Sequence, residues 1–312
     1  MDAPQLSIVG TMYRSSEFVA EFHRRISAVA LGLTSSFEII LVDDGSPDDS
    51  LAQAVALTER DPRVRVIELA RNFGHHAAML AGLRHARGDL VFLLDVDLEE
   101  QPEWLAGFWD DLHRHQADMV YGVQSARTGS LFKRQTGAMF YRFFNLASDI
   151  KIPVNGCTVR LMRRPYVDAI NQFSETHVFL MGLFSWAGFS QHARLVTKKH
   201  RESQSTYTPL KLIALSVNAV TSFSSYPLTI IFVAGLCITF LSLVFACKLI
   251  IQKLLQPDYI LSGFTSVMVS LWFLGGTIIS VLGIIGMYIG RLFSEAKSRP
   301  QYLVRRIYEK SH

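Results

Sequence analysis

Cysteine is scarce, with three residues in a chain of 312. Cys237 and Cys247 fall in or at the end of a long apolar run and Cys157 stands alone, so neither a disulfide framework nor a thiolate metal knuckle is available. A reducing compartment fits that usage. No G-x-G-x-x-G follows the first apolar run and no G-x-x-x-x-G-K-[ST] occurs anywhere, which argues against a dinucleotide oxidoreductase and a P-loop NTPase. The first residues carry no basic n-region and no apolar h-region, so no cleaved signal is expected. Net charge is modest at +4, with no basic helix and no interleaved aromatic and basic motif, and nucleic acid is not an expected partner. Charge is missing altogether from Leu212 to Cys247 and from Tyr259 to Gly290. Each run holds a stretch long enough to cross a bilayer, which takes roughly 20 residues.

Those runs divide the chain. Residues 1–207 read as a soluble α/β domain, 208–225 as an interfacial amphipathic helix, 226–290 as a two-helix transmembrane hairpin and 291–312 as a basic tail. The first span is expected at Pro227 to Cys247 and the second at Phe264 to Gly290. Neither holds an ionisable residue, which argues against a transporter or proton relay and for an anchor. Gly276, Ser280, Gly286 and Gly290 recur at near-helical spacing, a helix-packing signal. In 208–225, Leu210, Ile213, Val217 and Val220 form an apolar stripe with polar residues between them, suited to lying on lipid headgroups. The tail carries Arg291, Lys297, Arg299, Arg305, Arg306 and Lys310, whereas the loop between the spans has Lys248, Lys253 and Asp258. The positive-inside rule puts the tail in the cytoplasm, and a hairpin puts the N-terminal domain there too, at the inner or plasma membrane. The modest excess of positive charge then serves topology and contact with anionic membrane lipids.

Within the soluble part, short apolar runs alternate with amphipathic segments. Leu6 to Val9, Phe37 to Val42, Val64 to Leu69, Val91 to Leu94 and Met119 to Val123 read as buried strands. Phe18, Phe22, Ile26, Val29 and Leu33 recur at helical spacing, with Ser15 or Ser16 as N-cap, and Asp48 or Asp49 can cap the next helix. The βαβαβαβ alternation predicts a doubly wound, mostly parallel sheet. In such sheets ligands bind beyond the C-terminal strand ends. Three groups fall there: Asp43-Asp44 in VDDGSPDDS, Arg71 in RNFGHH, and Asp95, Asp97 and Glu99 in LLDVDLEEQPE. Carboxylates at i, i+2 and i+4 lie on one side of an extended chain and offer hard oxygen ligands, which suit Mg²⁺ or Mn²⁺ bridging a diphosphate. A bare D-x-D is as readily a solvated acidic turn. The convergence of all three groups on one edge outlines a nucleotide-diphosphate site, in which an acidic pair accepts hydrogen bonds from base or ribose and an arginine meets a phosphate or carbonyl.

In their order and spacing, VDDGSPDDS, RNFGHHAAMLAG and LLDVDLEEQPE resemble the inverting family 2 glycosyltransferases of GT-A (Rossmann-like) fold. Followed by two apolar spans, the chain is similar over nearly its whole length to the polyprenyl-phosphate glycosyltransferases. These include relatives of dolichyl-phosphate mannose synthase and the bacterial undecaprenyl-phosphate glucosyl and aminoarabinosyl transferases. The resemblance implies a metal-dependent transfer of one sugar from a nucleotide-diphosphate sugar, most simply a UDP-sugar, to undecaprenyl or another polyprenyl phosphate. By position it assigns Asp43, Asp44, Arg71 and Asp95 to the nucleotide and Asp95, Asp97 and Glu99 to the metal, with Asp97 catalytic through it. It also implies a homo-oligomer, since tetramers occur among relatives. The chain departs from the pattern at Gly10-Thr11-Met12-Tyr13-Arg14, where an acidic turn is usual, and around Asn155 to Leu161, where many relatives carry an Asp before Arg-Leu.

The missing Asp is compatible with a phosphate acceptor. A phosphate monoester has a second pKa near 6, so it is already dianionic near neutral pH. It needs cations more than a base. Arg127, Lys133, Arg134 and Arg201 are the expected cations, with Arg127 and Arg201 also placed as catalytic groups. Other features carry less. Adjacent His75 and His76 cannot share a helix face and read as capping or packing residues. Gln191-x-x-Arg194 lies in a strand-like run, and Glu175 and His177 open an apolar segment running to Trp186. Two alternatives stand beside phosphate transfer: transfer to a lipid hydroxyl, as in glycolipid synthesis, and a catalytically silent membrane partner.

Overall fold

The computed structural model describes residues 3–124, 153, 155–175, 179–197, 226–255 and 263–310. Its centre is an eight-stranded sheet in the order β7-β5-β6-β4-β1-β2-β3-β8. The strands are β1 (Leu6–Met12), β2 (Phe37–Asp43), β3 (Val64–Leu69), β4 (Leu90–Asp95), β5 (Met119–Gln124), β6 (Gly156–Arg163), β7 (Gln191–Val196) and β8 (Val304–Tyr308). Buried on both faces, β1, β2 and β3 are covered along their whole length. Apolar residues therefore dominate them on both faces, and the charged residues in their interiors, Glu38, Arg65 and Glu68, are buried and paired.

The sheet is mixed. β4, β1, β2 and β3 run parallel, β6 runs antiparallel to both β4 and β5, β7 is parallel to β5, and β8 is antiparallel to β3. The expected doubly wound, mostly parallel sheet therefore describes the first half, while β6 and β8 supply the reversed strands. Helices α1 (Val19–Leu31), α2 (Ser50–Arg60) and α4 (Trp104–Arg114) close one face over Phe22, Ile39, Phe92 and Phe108. The Phe92 and Phe108 rings meet edge to face at 5.9 Å. On the other face, α3 (His75–His85), α5 (Arg164–Asn171) and α6 (Leu180–Trp186) pack over Val9, Ile40, Leu93 and Tyr166.

Local caps differ from expectation at α1, and at α2 the cap is one of the two residues expected. α1 begins at Val19 with Phe18 as N-cap, because Ser15 and Ser16 are held in a preceding turn: the Ser15 amide donates to Ser50 Oγ and the Ser16 amide to Asp48 Oδ2. At α2 the N-cap residue Asp49 makes no side-chain cap bond. Asp48 serves there instead, accepting from the Ser50 hydroxyl at 2.6 Å and the Ser50 amide at 3.3 Å.

Two long apolar helices follow, α7 (Tyr226–Leu255) and α8 (Phe264–Ala296). The stretches read from the sequence as spans, Pro227 to Cys247 and Phe264 to Gly290, fall within these helices. Among the described residues one stretch, Phe273–Ala296, is 24 residues of mean hydropathy 1.9 and is long and apolar enough to cross a membrane. The interfacial helix expected at 208–225 lies outside the described residues. The basic tail is more than a tail, since its residues 304–308 are β8. Arg65 of β3 donates to Glu309 Oε2 at 3.0 Å and to Glu38 Oε2 at 3.1 Å, tying the C-terminal strand into the base of the sheet.

Candidate active site

The parallel strands end together. Met12 pairs with Asp43, and Thr11 pairs with Asp95, so the two acidic motifs stand two strands apart on one edge with β1 between them. The Thr11 hydroxyl donates to Asp95 Oδ1 at 2.5 Å, fixing that carboxylate. β4 stops at Asp95, and the loop beyond it holds Leu98 at φ 60, a left-handed conformation uncommon for a leucine. Asp97 turns back on this loop and accepts the Glu99 amide at 3.0 Å. Asp95, Asp97 and Glu99 are all half-buried, which leaves part of each open to solvent. The loop is pinned at its far end, where buried Glu100 accepts the Thr158 amide at 3.0 Å and Arg25 donates to Gln101 and Glu103.

Asp43 and Asp44 are nearly inaccessible, at 1% and 3% exposure. Asp43 accepts the Ser46 amide, and Asp44 accepts the Phe73 amide at 2.7 Å and the Gly74 amide at 3.0 Å. Burial raises both carboxyl pKa values against those bonds. Asp44 thus clamps the turn after β2 to the loop before α3. The close approach requires Gly45, which has φ +66 and whose Cβ would fall 2.6 Å from the Asn72 nitrogen. Arg71 is exposed at the rim, stacked over the Phe73 ring at 4.2 Å and donating to the Asn72 carbonyl.

His75 opens α3 but does not cap it, since the N-cap is Gly74 and no side-chain cap bond is made. Its Nε2 lies 3.5 Å from Asp95 Oδ1. The sequence suggested a capping or packing role for His75, and the loop after β3 carries it into the acidic edge. The signal was its place six residues beyond the end of β3, on the same edge as the carboxylates. Arg127, Lys133, Arg134 and Arg201 lie outside the described residues. Asn155 is described, at φ 63 just before β6.

The donor set suits a hard divalent cation: Asp95 and Asp97 offer carboxylate oxygens at a solvent-reaching edge. Among the described residues no three His, Cys, Asp or Glu side chains are gathered into a cage. Mg²⁺ needs no such cage when one or two carboxylates and substrate phosphates share its coordination.

The matches to known proteins agree with this geometry. The model of the family described as glycosyl transferase family 2 matches residues 7–170, from β1 through α5. The chain belongs to glycosyltransferase family 2. A Mycobacterium tuberculosis (strain CDC 1551 / Oshkosh) protein named as a glycosyltransferase is 44% identical over 97% of this chain and 88% of that protein. An uncharacterized glycosyltransferase of Bacillus subtilis (strain 168), YkcC, is 34% identical over 97% and 94%. The prophage bactoprenol glucosyl transferase homolog of Escherichia coli (strain K12) is 32% identical over 97% and 99%, so the similarity includes the apolar helices. This family 2 chain is a transferase that moves a glycosyl group from a nucleotide sugar.

Proposed function

We propose that this transferase moves a single sugar, with inversion, from a nucleoside-diphosphate sugar to a polyprenyl phosphate such as undecaprenyl phosphate at the cytoplasmic membrane face. The observation that carries this reading is the pairing of β8 with β3. Residues before α7 and after α8 belong to one sheet and therefore to one side of any bilayer. If Phe273–Ala296 crosses, the chain must cross an even number of times between β7 and β8, which supports α7 as the second span. The same pairing holds the acidic edge on a domain tethered at both ends to the membrane, where a lipid acceptor is found. The bactoprenol glucosyl transferase names among full-length relatives support the same acceptor class.

In the reaction the C1–O bond to the donor's diphosphate breaks as a C1–O bond to the acceptor phosphate forms. The nucleoside diphosphate leaves with the electron pair. No proton has to be removed from a dianionic acceptor, which accords with Asn155, Gly156, Cys157 and Thr158 standing where a carboxylate would otherwise be sought. Asp95 and Asp97 would hold Mg²⁺ or Mn²⁺, whose chemistry is to neutralise charge on the leaving diphosphate. Thr11 and His75 orient Asp95, and the Asp44 clamp holds the nucleotide-side loop in place. The test is product analysis by mass spectrometry with purified protein, a panel of UDP-, GDP- and TDP-sugars, and either undecaprenyl phosphate or a lipid alcohol as acceptor. A glycosylated polyprenyl phosphate supports the proposal. A product with the alcohol alone would replace it with glycolipid synthesis, and metal-dependent turnover of any kind excludes a silent partner.

A further inference from the structure

Arg160 sits in the middle of β6, inside the protein, at 3% exposure. Burial pulls its pKa down to about 10, with Tyr166 and Glu100 opposing, so the group is still a cation near neutral pH. Its immediate partners are all neutral. Nε donates to the Thr158 carbonyl at 2.9 Å, Nη2 donates to the Cys157 carbonyl at 3.0 Å and contacts Met181 Sδ at 3.0 Å, and the guanidinium lies 3.7 Å over the Phe184 ring. Among the described residues no carboxylate forms an ion pair with it. A buried charge held by neutral groups is costly unless an anion joins it.

Space for an anion is present. A cavity of about 40 Å³ adjoins Arg160, lined also by Tyr121, Cys157, Met181, Ser185 and Gln191. At roughly 10–15 Å³ per water, it has room for about three waters, or for the oxygens of one phosphoryl group. Its position is informative. Arg160 pairs with Leu93, two residues before Asp95. Cross-strand partners and residues at i and i+2 share a sheet face, so Arg160 and Asp95 project to the same side. Across the sheet, β6 flanks β4 on one side, while β1, β2 and the Asp43-Asp44 turn flank it on the other. An inverting displacement needs its nucleophile and leaving group on opposite sides of C1, and the β6 side is opposite the nucleotide.

We propose that Arg160 and its cavity receive the phosphate monoester of the acceptor. The proposal rests on the polyprenyl-phosphate reading and adds to it a residue that touches the nucleophile.

The test uses the full-length protein in detergent. Thermal midpoints are measured with a short isoprenyl phosphate monoester, with its parent alcohol and with inorganic phosphate, alongside acceptor and donor KM values. Arg160→Met removes the charge at similar volume, and Ser185→Leu fills the cavity while leaving Arg160 in place, so a folding defect in the first variant does not end the test. The expected result is a midpoint raised by the isoprenyl phosphate and not by the alcohol, and lost in Arg160→Met. Acceptor KM should rise at least 20-fold in Arg160→Met and at least 10-fold in Ser185→Leu, with donor KM within two-fold of wild type. Unmoved acceptor KM in folded variants that still form product overturns the proposal and leaves the acceptor reading intact. An Arg160-dependent midpoint shift without product from polyprenyl phosphate supports the pocket and counts against the acceptor reading. Equal stabilisation by inorganic phosphate would overturn the lipid assignment in favour of a free-phosphate site.

Discussion

Asp44→Asn separates a structural carboxylate from a ligand-binding one. In the native fold both Asp44 oxygens accept backbone amides, at 2.7 and 3.0 Å, and the residue is 3% exposed. Asparagine keeps one acceptor and turns an NH₂ group toward the other amide, leaving a buried N–H unmet. A hydrogen bond to a charged group is worth about 1.5–3 kcal/mol and an orphaned buried donor costs about 1–3 kcal/mol. Relief of the desolvation that raises the Asp44 pKa offsets part of this. A net loss of about 2–3 kcal/mol is expected, which for a domain of this size lowers the thermal midpoint by roughly 5–10 °C at about 2–4 °C per kcal/mol. The assay is a thermal ramp followed by intrinsic fluorescence, with nucleotide titration on the same samples below the transition. A midpoint within 1 °C of wild type, together with nucleotide affinity down ten-fold or more, would refute the clamp and make Asp44 a direct nucleotide contact.

Glu38 accepts from the Ser7 hydroxyl, Arg65 and the Arg87 amide at the opposite end of the sheet. Glu38→Ala leaves Arg65 with Glu309 as its remaining carboxylate but strips the Ser7 hydroxyl and the Arg87 amide of a buried acceptor, and should cost about 1–3 kcal/mol, read as a fall in denaturation midpoint, while nucleotide affinity of the folded fraction stays unchanged. Burial pushes the Asp61 carboxyl up, but hydrogen bonds from Arg63 and His23 outweigh it and hold the pKa at about 2 against an ordinary 3.8. Because the folded pKa is the lower one, this stabilisation of about 2 kcal/mol is complete above about pH 4 and lost as pH falls toward 2. Wild type should therefore lose more stability than Asp61→Asn between pH 7 and pH 3, and equal losses would contradict the assignment. Truncation after Arg299 removes β8 and exposes the β3 edge, so the protein should lose its single peak in size-exclusion chromatography. An unchanged peak and midpoint would mean that β8 does not hold the sheet.

The strands that begin the fold were legible because they are buried on both faces. β3 coincides with the strand expected at Val64–Leu69, and β2 and β5 extend theirs by one residue, to Asp43 and Gln124. β6 was not legible, because GCTVRLMR puts an arginine in its centre, and its burial depends on α6 closing over it. β8 was hidden for a different reason. VRRIY is a charged edge strand whose partner, β3, lies more than 230 residues earlier, and short-range pattern carries no trace of that pairing. The acidic edge was readable from three motifs at strand ends, and His75 follows the third strand on that same edge, whereas the surroundings of Arg160 come from tertiary packing, with Met181 and Phe184 of α6 laid over it. The sequence also could not distinguish Asp44 from Asp97. Both are carboxylates beyond a strand, and the hydrogen bonds make one a clamp and leave the other at the solvent-reaching edge.

That contrast gives the most direct test of the proposed chemistry, single-turnover transfer from nucleotide sugar to undecaprenyl phosphate by wild type and Asp97→Asn. Asp97 bonds its own loop at Glu99 and is half-buried, so the variant should keep its thermal midpoint within about 2 °C, on a loss of under about 1 kcal/mol. Glycosyl polyprenyl phosphate should form with wild type and fall by about a hundred-fold or more in the variant, the scale of losing one transition-state charge stabiliser. Transfer that survives within a few-fold in Asp97→Asn would contradict the assignment of the reaction to this acidic edge.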